Sequence, residues 1–241
     1  MKFILVSILL IIIIILIAIP PPPPSKCPKV VFMVIASDGP HYDAMKEIWI
    51  DRWNRRNHHL SDSELWFLYG DGPNNSPCEH DRVYPSVKES LIPGVLDKTM
   101  IALREFLDTT DADIVVRTNL SSVYLWDRTE SFLWRWRGDV AGLSPDGKHF
   151  GGCNFIMSRR AVEWLVHHEN LMDRQKLDDV AMSRAFIEHG KGLLRIDDRV
   201  PRYDILDGNR GYASGPRDAI FHIRFKQKDR QRDVDNMRSM F

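Results

Sequence analysis

The sequence predicts an α/β domain with a mixed, mainly parallel sheet flanked by helices, a single domain behind an N-terminal transmembrane helix. Three observations carry this. The runs at residues 30–36 and 114–116 are apolar throughout and rich in β-branched residues, as strands buried on both faces are. Segments with helical apolar spacing alternate with the strands. Polar turn clusters close the runs, Ser37-Asp38-Gly39-Pro40 after the first strand and Gly70-Asp71-Gly72-Pro73 after the second.

Each element follows in order. The first strand, 30–36, is followed by a helix over 42–53 with Met45, Ile48, Trp49 and Trp53 near one face. Strands are expected at 65–69 and 82–84. A helix over 95–107 then places Leu96, Met100, Leu103 and Leu107 at helical spacing, and the strand from Ile114 follows. The second half is more mixed. Residues 139–143 and 151–157 read as strands around the turn Ser144-Pro145-Asp146-Gly147, and Ser158 caps a helix over 159–167. A helix over 177–188 ends at Gly190, and 193–196 reads as a short strand. The segment 226–241 is a charged C-terminal tail, expected to wrap the surface or fray.

Residues 3–19 are uncharged and almost purely Ile, Leu and Val, near the lower limit for a membrane-spanning helix. A cleaved signal peptide is the rival reading. The long apolar run, the lack of an A-x-A site and the five prolines from Pro20 favour an uncleaved anchor. The expected organisation is therefore an anchor (1–19), a stiff proline-rich stem (20–29), a domain (30–225) and the tail (226–241). The expected topology is a type II membrane protein with its domain in the secretory-pathway lumen. The flanking lysines Lys2, Lys26 and Lys29 leave a cytoplasmic-facing domain open.

Lys plus Arg equals Asp plus Glu at 33 each, so no basic field for nucleic acid is implied. The three cysteines, Cys27, Cys78 and Cys153, form no C-x-x-C, and Cys153 reads as a small buried packing residue. A Cys27–Cys78 bridge remains open.

Four places combine polar groups with the ends of elements. Ser37 and Asp38 end the first strand, where open α/β sheets meet their ligands. Arg117, Thr118, Asn119, Ser121 and Ser122 follow the Ile114 strand; Arg117 suits a phosphate, whereas Asn119 and Ser121 are poor ligands for a hard cation. Asp178 and Asp179 open a helix, which explains one carboxylate and leaves the other free to act as a general base. In Phe221-His222-Ile223-Arg224-Phe225-Lys226, strict alternation sends His222, Arg224 and Lys226 to one face, as a diphosphate site or as a solvated edge strand.

The order of these motifs resembles the inverting GT-A glycosyltransferases, a Rossmann-like class. It is most similar to the β-1,3-galactosyltransferase and Fringe group and to related enzymes of large DNA viruses. The resemblance rests on Ile48-Trp49, Lys98-Thr99, Arg117-Thr118-Asn119-Leu120-Ser121, the segment Gly151-Gly152 to Ser158, Asp178-Asp179-Val180 and Phe221-His222, and it spans nearly the whole domain.

The resemblance implies a transferase that moves a sugar from a nucleotide-diphosphate donor to a hydroxyl of a glycan or glycoprotein. Asp179, with Asp178 beside it, is then the candidate base. The donor-binding candidates are Ser37, Asp71, Lys98, Arg117, Asn119, Ser121, His222 and Arg224. The family clamps a divalent metal (Mn2+ or Mg2+) with Asp-x-Asp and a late His. Here Asn119 and Ser121 stand where the acids do, leaving His222 as the one carried-over metal candidate. Either His222 and the diphosphate hold a metal, or Arg117, His222, Arg224 and Lys226 replace it. A catalytically inactive nucleotide-sugar or glycan-binding module of the same fold is the alternative. An unrelated doubly wound nucleotide-binding protein ranks below both, since no G-x-G-x-x-G or Walker signature is present.

Overall fold

The computed structural model describes residues 27–56, 60, 62–142, 149–197, 200–207, 210–214 and 217–240. The expected anchor, most of the stem and the turn at 144–147 lie outside the described residues. Among the described residues no helix is long and apolar enough to cross a membrane.

The chain runs β1 (Val30–Ile35), α1 (Pro40–Asn54), β2 (Glu64–Tyr69), β3 (Asp81–Val83), α2 (Gly94–Thr109), β4 (Ile114–Asn119), β5 (Ser122–Tyr124) and α3 (Trp126–Arg135). Then come β6 (Val140–Ala141), β7 (Phe155–Ser158), α4 (Arg159–His167), α5 (Asp178–Arg184), β8 (Ile196–Asp197), β9 (Arg202–Leu206), β10 (Arg210–Ser214), β11 (His222–Lys226) and α6 (Arg230–Ser239). A seven-stranded sheet has the order β3-β2-β1-β4-β7-β6-β8, and a four-stranded sheet has the order β10-β9-β11-β5. β1 pairs in parallel with both β2 and β4, so the carboxyl ends of all three open on one edge. β7 joins β4 antiparallel, which makes the sheet mixed.

The apolar runs are explained by burial on both faces. Val30, Phe32 and Val34 pack with Trp49 and Trp53 of α1 and with Val123 and Phe225 of the smaller sheet. Val31 and Met33 face the opposite way, toward Leu96, Met100 and Leu103 of α2 and Val162 and Leu165 of α4. Burying each such side chain stabilises the fold by about 1.5–3 kcal/mol. The turn after β1 depends on Gly39 at φ 132°, a dihedral that L side chains rarely adopt, and on Pro40 in the first turn of α1.

Four readings from the sequence change. The charged tail folds into α6, capped by the Asp229 side chain on the Gln231 N–H, and it buries Val234 and Met237. The strand expected from Gly151 begins at Phe155, because Gly151–Asn154 forms a turn that meets α5. The helix opened by Asp178 passes at Ala185 into a π-helical turn over Ala185–His189. β11 lies between β9 and β5, so its alternation is that of an interior strand and not of a solvated edge. All three cysteines are free thiols.

Candidate active site

β4 ends with Arg117 and Asn119 on the side chain face that looks toward α2 and α5, one residue out of phase with Val116 and Thr118. This parity aims Arg117 at the start of α5. Its Nη2 lies 2.5 Å from Asp178 Oδ2, and its Nη1 donates to the Gly152 carbonyl. Asp178 is buried, and burial pushes its carboxyl up from the usual range against the pull of Arg117. Arg117 is therefore taken up inside the protein, with only Nε lacking a hydrogen-bond partner.

Asp179 is placed differently. It is only partly buried. Its Oδ2 accepts the Gly152 N–H at 2.8 Å and its Oδ1 accepts the Val180 N–H at 2.8 Å. Two backbone donors orient the carboxylate. A carboxylate offers about four lone-pair positions, so acceptor capacity remains on both oxygens.

The turn after β4 is built by side chains. Trp49 Nε1 donates to the Leu120 carbonyl at 3.1 Å, and this is the place of the Ile48-Trp49 motif in the fold. Asn119 Oδ1 accepts from Ser121 Oγ at 3.1 Å and from Ser122 Oγ at 3.0 Å. Its acceptor oxygen is satisfied internally, and its Nδ2 donor is what remains.

β5 then pairs with β11, setting Tyr124 opposite His222 and Ser122 opposite Arg224. β9 pairs on the other side, setting Arg202 opposite His222 and Asp204 opposite Arg224. Directly paired residues share a face, so two polar rows result. Arg202 grips Asp204 through Nε to Oδ1 at 2.7 Å and Nη2 to Oδ2 at 2.9 Å, and its Nη1 reaches Cys153 Sγ at 3.0 Å. Tyr124 donates its hydroxyl to Asn154 Oδ1 at 3.1 Å. His222 is fully enclosed, with its ring 4.9 Å from that of Tyr124 and neither ring nitrogen hydrogen-bonded. Burial, reinforced by Arg202 and Arg224, holds its pKa well below the usual imidazole range.

The other predicted residues separate. Ser37 is half-buried at the end of β1. Beside it Asp38 Oδ1 accepts the Asn75 N–H at 3.1 Å, which brings the loops after β1 and β2 together. Asp71 is exposed and caps the Glu89 N–H at 2.6 Å. Lys98 is fully buried and spans Ala36 O at 3.0 Å and Glu89 Oε1 at 2.6 Å. It is thus a brace behind the β1 edge and does not reach a donor-facing surface. Sequence reasoning missed Glu89, Asn154, Arg202 and Asp204. The one signal for the last two was the alternation Arg202-Tyr203-Asp204-Ile205.

The residues do not fit a divalent metal. Hard cations take anionic or carbonyl oxygens. The position of the clamp holds an amide whose oxygen is already engaged and a hydroxyl, and His222 is flanked by two guanidinium groups. Of the nearby acids, Asp178 and Asp204 are each matched to an arginine, which leaves Asp179 as a single carboxylate, already held by two backbone N–H groups. Among the described residues no group of three or more His, Cys, Asp or Glu could hold a metal ion.

Surface cavities of about 450 Å3 beside Arg52 and Trp126 and about 490 Å3 beside Trp136 and Arg195 share no residue with this cluster. The three arginines of the first are engaged, Arg55 by Asp51 at 2.7 Å, Arg52 by the Tyr124 carbonyl at 2.7 Å and Arg128 by the Ile220 carbonyl at 3.1 Å.

No family model and no curated protein matches this sequence. Among solved structures the chain is similar to the mannosyltransferase PcManGT from Pyrobaculum calidifontis, determined in complex with GDP-Man and Mn2+. The TM-score is 0.53 at 11% identity, covering 87% of this chain and 61% of that one. The apo-form glycosyltransferase GlyE of Streptococcus pneumoniae TIGR4 aligns at a TM-score of 0.39 and 13% identity, over 70% of this chain and 44% of its own. The chain thus spans less than two thirds of the length of either. The first likeness is one of fold alone: the mixed, mostly parallel sheet expected from the sequence has its counterpart in that solved structure.

Proposed function

We propose that this chain is a hexosyltransferase-like glycosyltransferase, moving a sugar from a nucleotide-diphosphate donor to a hydroxyl of a glycan or glycoprotein acceptor with inversion. The observation that carries the reading is Asp179: a half-exposed carboxylate, oriented by two backbone N–H groups, on the edge where β1, β2 and β4 end. In this reading the acceptor hydroxyl gives its proton to Asp179 while its oxygen attacks the anomeric carbon. The bond from that carbon to the β-phosphate oxygen breaks on the opposite face, and the nucleoside diphosphate leaves with the electron pair. Asp178, enclosed against Arg117, positions the turn that presents Asp179 and does not itself meet the acceptor. Ser37 and Asp71, at the ends of β1 and β2, lie where a nucleoside would be held.

Asp179→Asn keeps the shape and removes the base. Transfer is expected to fall about 10²–10⁴-fold, with donor binding and melting temperature little changed. Near-normal turnover in that variant overturns the assignment.

The replaced acids at Asn119 and Ser121 favour a second reading, a donor- or glycan-binding module without turnover. Calorimetry combined with a donor-hydrolysis assay separates the two, since the module binds nucleotide sugars and releases no nucleoside diphosphate. Kinship with the β-1,3-galactosyltransferase and Fringe group belongs to the same proposal and rests on the motif order alone. So does a type II anchor formed by residues 3–19, supported by their composition and the prolines that follow.

A further inference from the structure

We propose that the diphosphate of the donor is neutralised by the protein itself, with Arg224 as the principal cation and Asn119 and Asn154 as amide donors, so that binding and departure of the leaving group need no divalent metal. The inference rests on the glycosyltransferase reading for its substrate and on the polar rows between β5, β11 and β9 for its geometry.

Three observations converge. First, beside the ion-paired Asp178 Oδ2, Arg202 Nε and Asp204 Oδ1, residues of this cluster carry buried polar atoms without hydrogen-bond partners: Arg224 Nε, Asn154 Nδ2, Arg117 Nε and both ring nitrogens of the enclosed His222. The nitrogens of Arg224, Asn154 and Arg117 are obligate donors, and a neutral imidazole contributes one more. Buried donors left unpaired are costly, and together these suit the oxygens of an anion. Second, the ion pairs leave one cation over. Arg202 is matched by Asp204 and Arg117 by Asp178, so Arg224 has no part in these pairs, and Asp179 is the carboxylate that likewise stands outside them. Arg224 stands opposite Ser122, whose hydroxyl donates to Asn119 Oδ1, so the cation adjoins the turn after β4. Third, two hydroxyl groups donate to Asn119 Oδ1, which leaves its Nδ2 as the group that can donate. A carboxylate at that position would attract a metal and repel phosphate, whereas this uncharged amide can donate to phosphate and holds a metal less strongly. Preorganised donors and one cation at the oxygens where charge develops stabilise departure of the diphosphate electrostatically, the role a metal otherwise serves.

The test uses the full-length chain in detergent and inorganic pyrophosphate, which carries the diphosphate without base or sugar. In EDTA, calorimetry is expected to detect pyrophosphate binding that added Mn2+ does not tighten. Arg224→Gln should weaken it roughly tenfold to a hundredfold, the loss of one charged hydrogen-bonding partner. Arg224→Lys, which keeps the charge, should recover part of it, and melting curves verify that both variants are folded. The double variant Asn119→Asp with Ser121→Asp should bind poorly in EDTA and gain affinity with Mn2+. Binding only in Mn2+ by the natural chain overturns the inference, as does an Arg224→Gln variant that is folded and unimpaired. The two readings fail separately. Metal-free, Arg224-dependent pyrophosphate binding without any sugar transfer sinks the transferase reading alone, and transfer that requires Mn2+ sinks this inference alone.

Discussion

Arg117 Nη2 and Asp178 Oδ2 lie 2.5 Å apart with about 6% of each side chain exposed, and they join the end of β4 to the first residue of α5. The strand and the helix are far apart in sequence, so this contact sets where Asp179 stands. Removing one partner leaves the other charged and buried, which costs about 3–5 kcal/mol. Arg117→Met and Asp178→Asn should each destabilise the fold by that order. The double variant should lose less than the sum, because neither charge is then orphaned. Urea unfolding of the four proteins checks this, and additive losses would show that the pair is not coupled.

Gly152 is needed for close approach rather than for an unusual dihedral. A Cβ there would collide with Arg117 Nη1 and lie 2.9 Å from Asp179 Oδ2. The Gly152 N–H also orients Asp179 at 2.8 Å, and the Gly152 carbonyl receives Arg117. Gly152→Ala should therefore destabilise by about 1–3 kcal/mol and lower kcat more than donor affinity. Denaturant midpoints together with kcat and KM test it. A change in KM alone would argue that the turn serves binding and not the base.

How far the site was legible depends on whether its residues carry local signals. The β1 and β4 runs announce themselves because strands buried on both faces need uninterrupted apolar chemistry. Asp179 was legible as half of an acidic pair at a helix start and was preferred over Asp178 by the resemblance alone; the fold adds a physical distinction, the burial of Asp178 against Arg117. Lys98 stands in the expected helix but serves a structural role, its ammonium bracing Ala36 and Glu89. Arg202 and Asp204 were missed because the alternation of β9 is joined to no recognisable motif, and its pairing with β11 is non-local and leaves no mark in the sequence. The segment after Lys226 was misread for the opposite reason. Its high charge hides the spacing of Val234 and Met237, which is enough to seat α6 on the core.

His222 offers a test that needs no substrate. It is enclosed, it faces Arg202 on β9 and Tyr124 on β5, and Arg224 follows on its own strand. Burial first, and then the two arginines, keep it from accepting a proton in the folded state. The unfolded chain takes up that proton near pH 6.5. As pH falls below about 6.5 the unfolded state therefore binds a proton that the folded state refuses, and stability is lost with a limiting slope of about 1.4 kcal/mol per pH unit. The loss continues until the depressed folded value is reached. Well above about pH 6.5 both states are neutral and the contribution vanishes. Urea midpoints at about pH 7.5, 6.5 and 5.5 should fall in the natural chain and fall less in His222→Asn. His80, also shifted down by burial, supplies a smaller background slope that His80→Gln removes. Parallel pH profiles for the natural chain and His222→Asn would mean that the imidazole is protonated in place, and the neutral, donor-rich character assigned to this end of the sheet would have to be given up.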